Sequence, residues 1–222
     1  MQIIQKYNYA ELKRQDGDTR LYLTPDGEAL PSVTTILGKT KDKTFLKKWR
    51  QKVGEKKAEE IIQNSSQIGT ALHLYIERFV NGEQYKDLTK IGIQAEKMAQ
   101  KIIDEAFKDL TEIWGSEVHL YYPGKYAGTT DMIGVYKGRP TIIDFKQTNR
   151  PKKREWIQDY LMQLAAYAQA HNQLFNTEID QGVILMCSRD FTFQRFELLG
   201  ENFTRATDAF MKKLDLYNKT II

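Results

Sequence analysis

G-T-T-D-M-I-G-V-Y-K-G-R-P-T-I-I-D-F-K, running from Gly128 to Lys146, is the stretch whose reading decides the fold. Met132 to Tyr136 and Thr141 to Phe145 are rich in apolar and β-branched residues, with Lys137-Gly138 between them. The pattern predicts two antiparallel strands joined by a tight turn. With those two residues as the whole loop, Tyr136 faces Arg139, Ile133 faces Ile142 and Asp131 faces Asp144. Alternation of side chains along a strand then puts Lys146 on the face of Asp144. One extra loop residue would turn Asp131 to the other side of the sheet.

Directly opposed residues hold their Cβ atoms roughly 4.5–5.5 Å apart. At ~5 Å and an effective dielectric of ~20, two carboxylates repel by about 3 kcal/mol. Either one of them is protonated with a raised pKa, or a cation sits between them. A divalent metal is the more useful answer, since Mg²⁺ is typically held by one or two carboxylates together with a phosphate. The competing reading is a surface hairpin whose charges all face water, because Asp-x-Lys alone is common. The functional reading is a site that cleaves phosphodiesters.

The chain has 222 residues, 41% of them hydrophobic, enough for one sizeable core with an appendage. No stretch is long and apolar enough to span a membrane. The N-terminus shows neither a signal-peptide core nor an organelle transit pattern, so the expectation is a cytoplasmic protein with no membrane partner. Cys187 is the only cysteine, which excludes intrachain disulfides, a four-cysteine zinc site and a Cys-ligated iron–sulfur cluster. Gly38-Lys39-Thr40 resembles the end of a P-loop, but Val33 stands where the first glycine would be needed.

Net charge is +4, yet Lys39 to Lys57 holds nine Lys/Arg against only Asp42 and Glu55. A local basic stretch on an otherwise slightly acidic chain points to an anionic polymer. Within it, Thr44 to Val53 reads as an amphipathic helix with Phe45, Leu46, Trp49 and Val53 on one face. The alternatives are a solvated surface helix and a basic flap in which Lys47, Lys48, Trp49 and Arg50 contact a strand's phosphates and bases. Arg150, Lys152, Lys153 and Arg154 form a second basic loop leaving the strand of Lys146.

Elsewhere, Tyr7 to Leu30 reads as short strands with turns at Asp16-Gly17-Asp18 and Pro25-Asp26-Gly27, and Ser32 as an N-cap. Ser65 or Ser66 is expected to cap a helix running to about Val80, with Leu72, Ile76 and Phe79 as its buried stripe and His73 and Glu77 on one face. Further helices are expected at Ile91 to Leu110, Trp156 to about Asn172 and Phe203 to Tyr217. Further strands are expected at Glu117 to Tyr122, Gly182 to Cys187 and Thr192 to Leu198. His119 and His171 read as structural. This order describes an α/β sandwich around a mixed sheet.

Taken together, G-T-A-L-H-L-Y-I-E (Gly69–Glu77), Glu117, G-T-T-D (Gly128–Asp131), D-F-K (Asp144–Lys146) and Q-L-A-A-Y (Gln163–Tyr167) resemble the RecB-like branch of the PD-(D/E)XK nuclease superfamily. The resemblance spans roughly Ser65 to Leu198. P-S-V-T-T-I-L (Pro31–Leu37) and F-L-K-K-W (Phe45–Trp49) look like the N-terminal region of single-strand-specific exonucleases of that branch, phage relatives included. It implies a restriction-endonuclease-like core, with a central mixed β-sheet flanked by helices, plus an N-terminal β-hairpin and a basic helical flap. Residues 1–64 would be the DNA-contacting N-terminal region and 65–222 the nuclease core.

The same resemblance implies that His73, Asp131, Asp144 and the backbone carbonyl of Phe145 bind Mg²⁺ or Mn²⁺. Lys146 would be the catalytic lysine, Gln163 and Tyr167 would support the site and touch DNA, and Glu117 would be a secondary carboxylate near the metal. Two departures stand out. The branch often has Thr directly after the lysine, where this chain has Gln147 before Thr148. Many relatives carry an iron–sulfur cluster or a fused helicase, for which this chain lacks the cysteines and the P-loop. The implied activity is metal-dependent exonucleolytic cleavage of single-stranded DNA ends or flaps in replication, repair or recombination, alongside other proteins of those processes. The alternatives are a structure-specific endonuclease on the same core and a non-catalytic single-strand-binding module.

Overall fold

The computed structural model describes residues 2–17 and 19–220. The chain begins with strand β1 (Gln2–Ile3), followed by β2 (Lys13–Gln15), β3 (Leu21–Leu23) and β4 (Ala29–Pro31). Helices α1 (Val33–Lys39), α2 (Thr44–Val53), α3 (Glu55–Val80) and α4 (Lys90–Ala106) come next. Then follow β5 (Leu110–Tyr122), β6 (Tyr126–Tyr136), β7 (Arg139–Thr148), α5 (Gln158–Phe175), β8 (Gln181–Ser188), β9 (Phe193–Leu198) and α6 (Glu201–Thr220). Asp18, the last residue of the first expected turn, lies outside the described residues.

Six strands form one sheet in the order β1-β5-β6-β7-β8-β9, and β2-β3-β4 form a second, small antiparallel sheet. The β1/β5 and β7/β8 pairs are parallel and the other pairs of the large sheet antiparallel, so it is mixed as expected. Strand alternation divides the core in two. Met132, Ile143, Phe145, Val183 and Leu185 face α3 and α4, while Ile133, Ile142, Ile184 and Met186 face α1, α5 and α6. The paired β7 and β8 are covered on both sides, which is why β8 reads Q-G-V-I-L-M-C-S without a polar face.

The hairpin has the expected register. Lys137 and Gly138 take φ of +49° and +77°, the two positive values that a type I′ turn demands, and Tyr136 pairs with Arg139 and Ile133 with Ile142. The ladder ends at Met132–Ile143, so the β6 and β7 backbones part just before Asp131 and Asp144.

Several boundaries differ from the expectations. Helix α3 begins at Glu55, well before Ser65 and Ser66, because Gly54 at φ +87° both ends α2 and starts α3. The two serines are interior, and the Ser65 carbonyl accepts from Gln147 Nε2 at 2.8 Å. The helix therefore runs straight across position 64/65. Phe79 is 43% exposed and lies outside the buried stripe, which Ile68, Tyr75 and Val80 complete with Leu72 and Ile76. Strand β5 starts at Leu110, where the sequence suggested helix, and carries irregularities at Leu110/Glu112 and Ile113/Gly115. Strand β1 had no sequence expectation. Among the described residues no helix is long and apolar enough to cross a membrane.

Candidate active site

The parting of β6 and β7 leaves the Phe145 amide without a ladder partner, and it donates to Asp131 Oδ2 at 2.7 Å. His73, from α3 on the other side of the sheet, reaches into the same fork. Its Nε2 lies 2.9 Å from the Phe145 carbonyl, and its Nδ1 lies 3.5 Å from Asp131 Oδ1 and 3.8 Å from Glu117 Oε1. Glu117 reaches this point through a left-handed backbone, φ +51°, inside a strand. For a non-glycine residue that conformation costs on the order of 1–3 kcal/mol and clusters at functional sites.

Asp144 and Lys146 face the α5 side. The Lys146 ammonium is 2.5 Å from the Asp144 carboxylate and 5.1 Å from the Tyr160 ring centroid. Asp144 Oδ2 is buried and lies 2.5 Å from the Lys146 ammonium. Burial, with Asp131 nearby, raises the Asp144 carboxyl to about 6 against the pull of Lys146. Burial works against the Lys146 ammonium, but Asp144 and Asp131 outweigh it and hold its pKa above the ordinary lysine value. Burial likewise works against the His73 imidazolium, yet Asp131 and Glu117 together lift it to about 9.

The Q-L-A-A-Y and G-T-T-D motifs meet directly. A Cβ at Gly128 would fall 2.7 Å from Tyr167 Oη, so the glycine is what lets the tyrosine lie against β6. Burial raises the Tyr167 pKa well above the ordinary tyrosine value, with Tyr22, Asp131 and Asp144 adding to the rise and Gln163 one turn away on α5 working against it. The hydroxyl therefore stays protonated and acts as a neutral hydrogen-bonding group. Thr148, displaced one place by Gln147, is buried and donates to the Arg150 carbonyl at 3.0 Å, while Gln147 ties β7 to α3.

The donor set suits a hard divalent ion. His73, Glu117 and Asp131 offer ligand atoms that all lie within 4.8 Å of one another. The acid brought together with His73 and Asp131 is thus Glu117, while Asp144 lies against Lys146. The Phe145 carbonyl, expected as a ligand, stands against His73 Nε2, the contact that typically orients a ligating imidazole.

The basic residues are placed less uniformly. Lys47 and Lys48 are exposed and Trp49 is half-buried, but Arg50 is paired with Glu55 at 2.8 Å and Glu59 at 3.1 Å. No residue of α2 is buried; Phe45 is 80% exposed, and only the Trp49 and Val53 end of the expected apolar face is partly covered. Arg150 is exposed, and Lys153 lies 5.7 Å over the Trp156 ring. The backbone of Lys152 is bonded to the Gln194 amide, and Arg154 Nη2 donates to the Glu197 carbonyl at 3.0 Å. His119 and His171 are structural, accepting from Leu12 N and bonded to Tyr9 and Thr177 respectively. Sequence reasoning missed Arg14, which lines a cleft of about 500 Å³ with Thr70, His73, Glu77 and Glu117. No motif marks it, because a separate sheet brings it there.

No family model matches the chain. It is 25% identical over 193 residues to mitochondrial genome maintenance exonuclease 1 of Homo sapiens, covering 79% of this chain and 54% of that protein. The Mus musculus counterpart is 24% identical over 173 residues, covering 73% of this chain and 51% of the relative. The chain thus spans about half the length of the curated relatives it matches. Among solved structures, one from Eubacterium rectale described as "Putative exonuclease" superposes with a TM-score of 0.50 at 15% identity, over 70% of this chain and 68% of that one. In sequence and in fold, then, this chain is exonuclease-like.

Proposed function

We propose that this protein is a Mg²⁺- or Mn²⁺-dependent nuclease that hydrolyses DNA phosphodiester bonds, acting on single-stranded ends or flaps during replication, repair or recombination. One observation carries the reading: His73, Glu117 and Asp131 converge at the fork where β6 and β7 separate, beside the buried Asp144–Lys146 pair. A structural hairpin needs no imidazole from the opposite layer and no left-handed glutamate. The exonuclease relatives support the class of reaction.

His73, Glu117 and Asp131 would hold the ion, with Asp144 Oδ2 as a further oxygen donor. When bound, the ion supplies charge for a phosphate oxygen and lowers the pKa of a coordinated water. The protein's own groups do the rest. Asp144 fixes the Lys146 ammonium where negative charge grows on the phosphate, and a preorganised cation there costs no reorganisation during the reaction. Tyr167 and Gln163 close the site beneath β6 with neutral hydrogen-bonding groups. Lys47, Lys48 and Arg150 offer exposed charge for the strand's backbone, which makes affinity salt-dependent.

The test is a degradation assay on end-labelled linear and circular DNA, single- and double-stranded, with EDTA, Mg²⁺ or Mn²⁺. Loss of linear single strands only with metal, while circles survive, is the expected pattern. Cleavage in EDTA would remove the metal site, and cutting of circles would make the enzyme an endonuclease.

A further inference from the structure

Strand β2 lies at the edge of the small sheet, and Arg14 is paired directly opposite Tyr22 on β3. Paired residues of neighbouring strands project to the same face. Tyr22 is 4% exposed, and its hydroxyl bonds Thr129 Oγ1 at 3.2 Å, two residues before Asp131. Arg14 therefore projects toward the core, while Lys13 and Gln15 point the other way. Its side chain is nevertheless 46% exposed, because what it faces is the cleft bounded by Thr70, His73, Glu77 and Glu117.

The strand is anchored at the residue before it. Leu12 is buried and its amide donates to His119 Nδ1 at 3.1 Å, two residues beyond Glu117 on β5. Arg14 Nε is bonded to Asp16 at 3.0 Å, so the Nη edge of the guanidinium fork is the part presented to a ligand. The remaining charged groups lining this cleft are the imidazole of His73 and the carboxylates of Glu77 and Glu117. A cation on the wall opposite α3 is thus set to meet an anion lying across the candidate metal site.

We infer that Arg14 is a substrate-positioning residue that binds a phosphate of the strand next to the scissile one. The inference rests on the nuclease reading above and adds to it a wall of the site formed by the N-terminal sheet. Its chemistry is that of a guanidinium gripping a non-bridging phosphate pair, which a lysine matches in charge but not in geometry.

The experiment compares Arg14→Gln, Arg14→Lys and Lys13→Gln in the full chain, using a single-stranded oligonucleotide. Lys13→Gln removes the same charge from the outward face of the same strand. Cleavage with Mg²⁺ or Mn²⁺ gives KM and kcat, and binding is measured across a salt series in a Lys146→Ala background. Arg14→Gln is expected to raise Kd and KM about tenfold and to lower the salt slope by about 0.7, the value for one phosphate contact on a single strand. Arg14→Lys should restore the slope while recovering affinity only in part, and Lys13→Gln should change Kd less than about twofold. Equal losses from Arg14→Gln and Lys13→Gln, or an unchanged Kd in Arg14→Gln beside an active wild type, would overturn the role of Arg14. A wild type that cuts no DNA with either metal would instead overturn the nuclease reading itself.

Discussion

The fork between β6 and β7 and the helix α2 are both charged, and they are built on opposite principles. At the fork almost every polar group has an assigned partner, and Glu117 accepts backbone strain to keep its place. In α2 no residue is buried, an aromatic ring stands in solvent, and the lysines are exposed. Chemistry on a phosphate needs charges held to within a fraction of an ångström, so binding energy must be stored in the fold beforehand. Gripping a polyanion needs only positive charge nearby, and mobile lysines suffice for it.

If that contrast is right, the two regions fail differently. At the fork, Asp144→Ala, Asp131→Ala or Lys146→Ala should lower metal-dependent cleavage by about a hundred- to a thousandfold, the scale of losing a preorganised electrostatic group. Single-strand affinity should stay within about threefold. Cleavage at normal rate in any of these variants would erase the distinction.

The core away from the fork also has an acid limit. His171 of α5 is fully buried among Tyr7, Tyr9 and Phe175, and burial, helped by Lys6, lowers its pKa to about 4. The neutral imidazole is the form the fold favours. Its contribution is complete above the unfolded value of roughly 6.5, shrinks as pH falls and is gone near the folded value, a loss of about 3 kcal/mol. Urea midpoints at pH 7.5, 5.5 and 4.5 should fall accordingly, and His171→Gln should be less stable at neutral pH with a flatter acid limb. Parallel pH profiles for the two proteins would count against it.

A milder disturbance tests how tightly the fork is packed. Gly128→Ala puts a methyl against Tyr167 and should cost about 1–3 kcal/mol in stability, the usual range for overpacking. Because the clash is with the hydroxyl end of the ring, adding Tyr167→Phe should cost less than the two single changes summed. Strict additivity in thermal unfolding would show that the two motifs are not coupled.

On α2, Lys47→Glu with Lys48→Glu should weaken single-strand binding about tenfold at low salt and leave kcat at saturating DNA within twofold. Including Arg50→Glu should add little direct contact loss, because Arg50 is already paired within the protein. A large fall in kcat from the lysine reversals would mean that α2 orders the reacting strand as well as attracting it.

What could be read from the sequence, and what could not, follows the same division. Lys137-Gly138 with β-branched runs on both sides specifies one turn type and hence one register, so the places of Asp131, Asp144 and Lys146 on the hairpin were legible from local rules alone. The start of α3 was not, since Ser65 and Ser66 have the chemistry of caps and only the positive φ at Gly54 shows where the chain turns. Glu117 was legible as a residue of interest through resemblance, but its approach to His73 depends on a left-handed backbone that glutamate does not announce. Arg14 was invisible because its position depends on a buried tyrosine pairing across a separate sheet, a tertiary fact with no local signature.

Arg50 joins the two arms of the Gly54 bend, bonding Glu55 and Glu59 on the far helix. Such ties between exposed groups are weak and fade as ions crowd the solution. Ionic strength therefore acts twice here: it thins the attraction for the polyanion, and it slackens the elbow that aims the lysines. The steepness of a salt titration should then exceed the number of phosphates touched, and Arg50→Gln, which unfastens the elbow at every salt level, should bring the two counts back together.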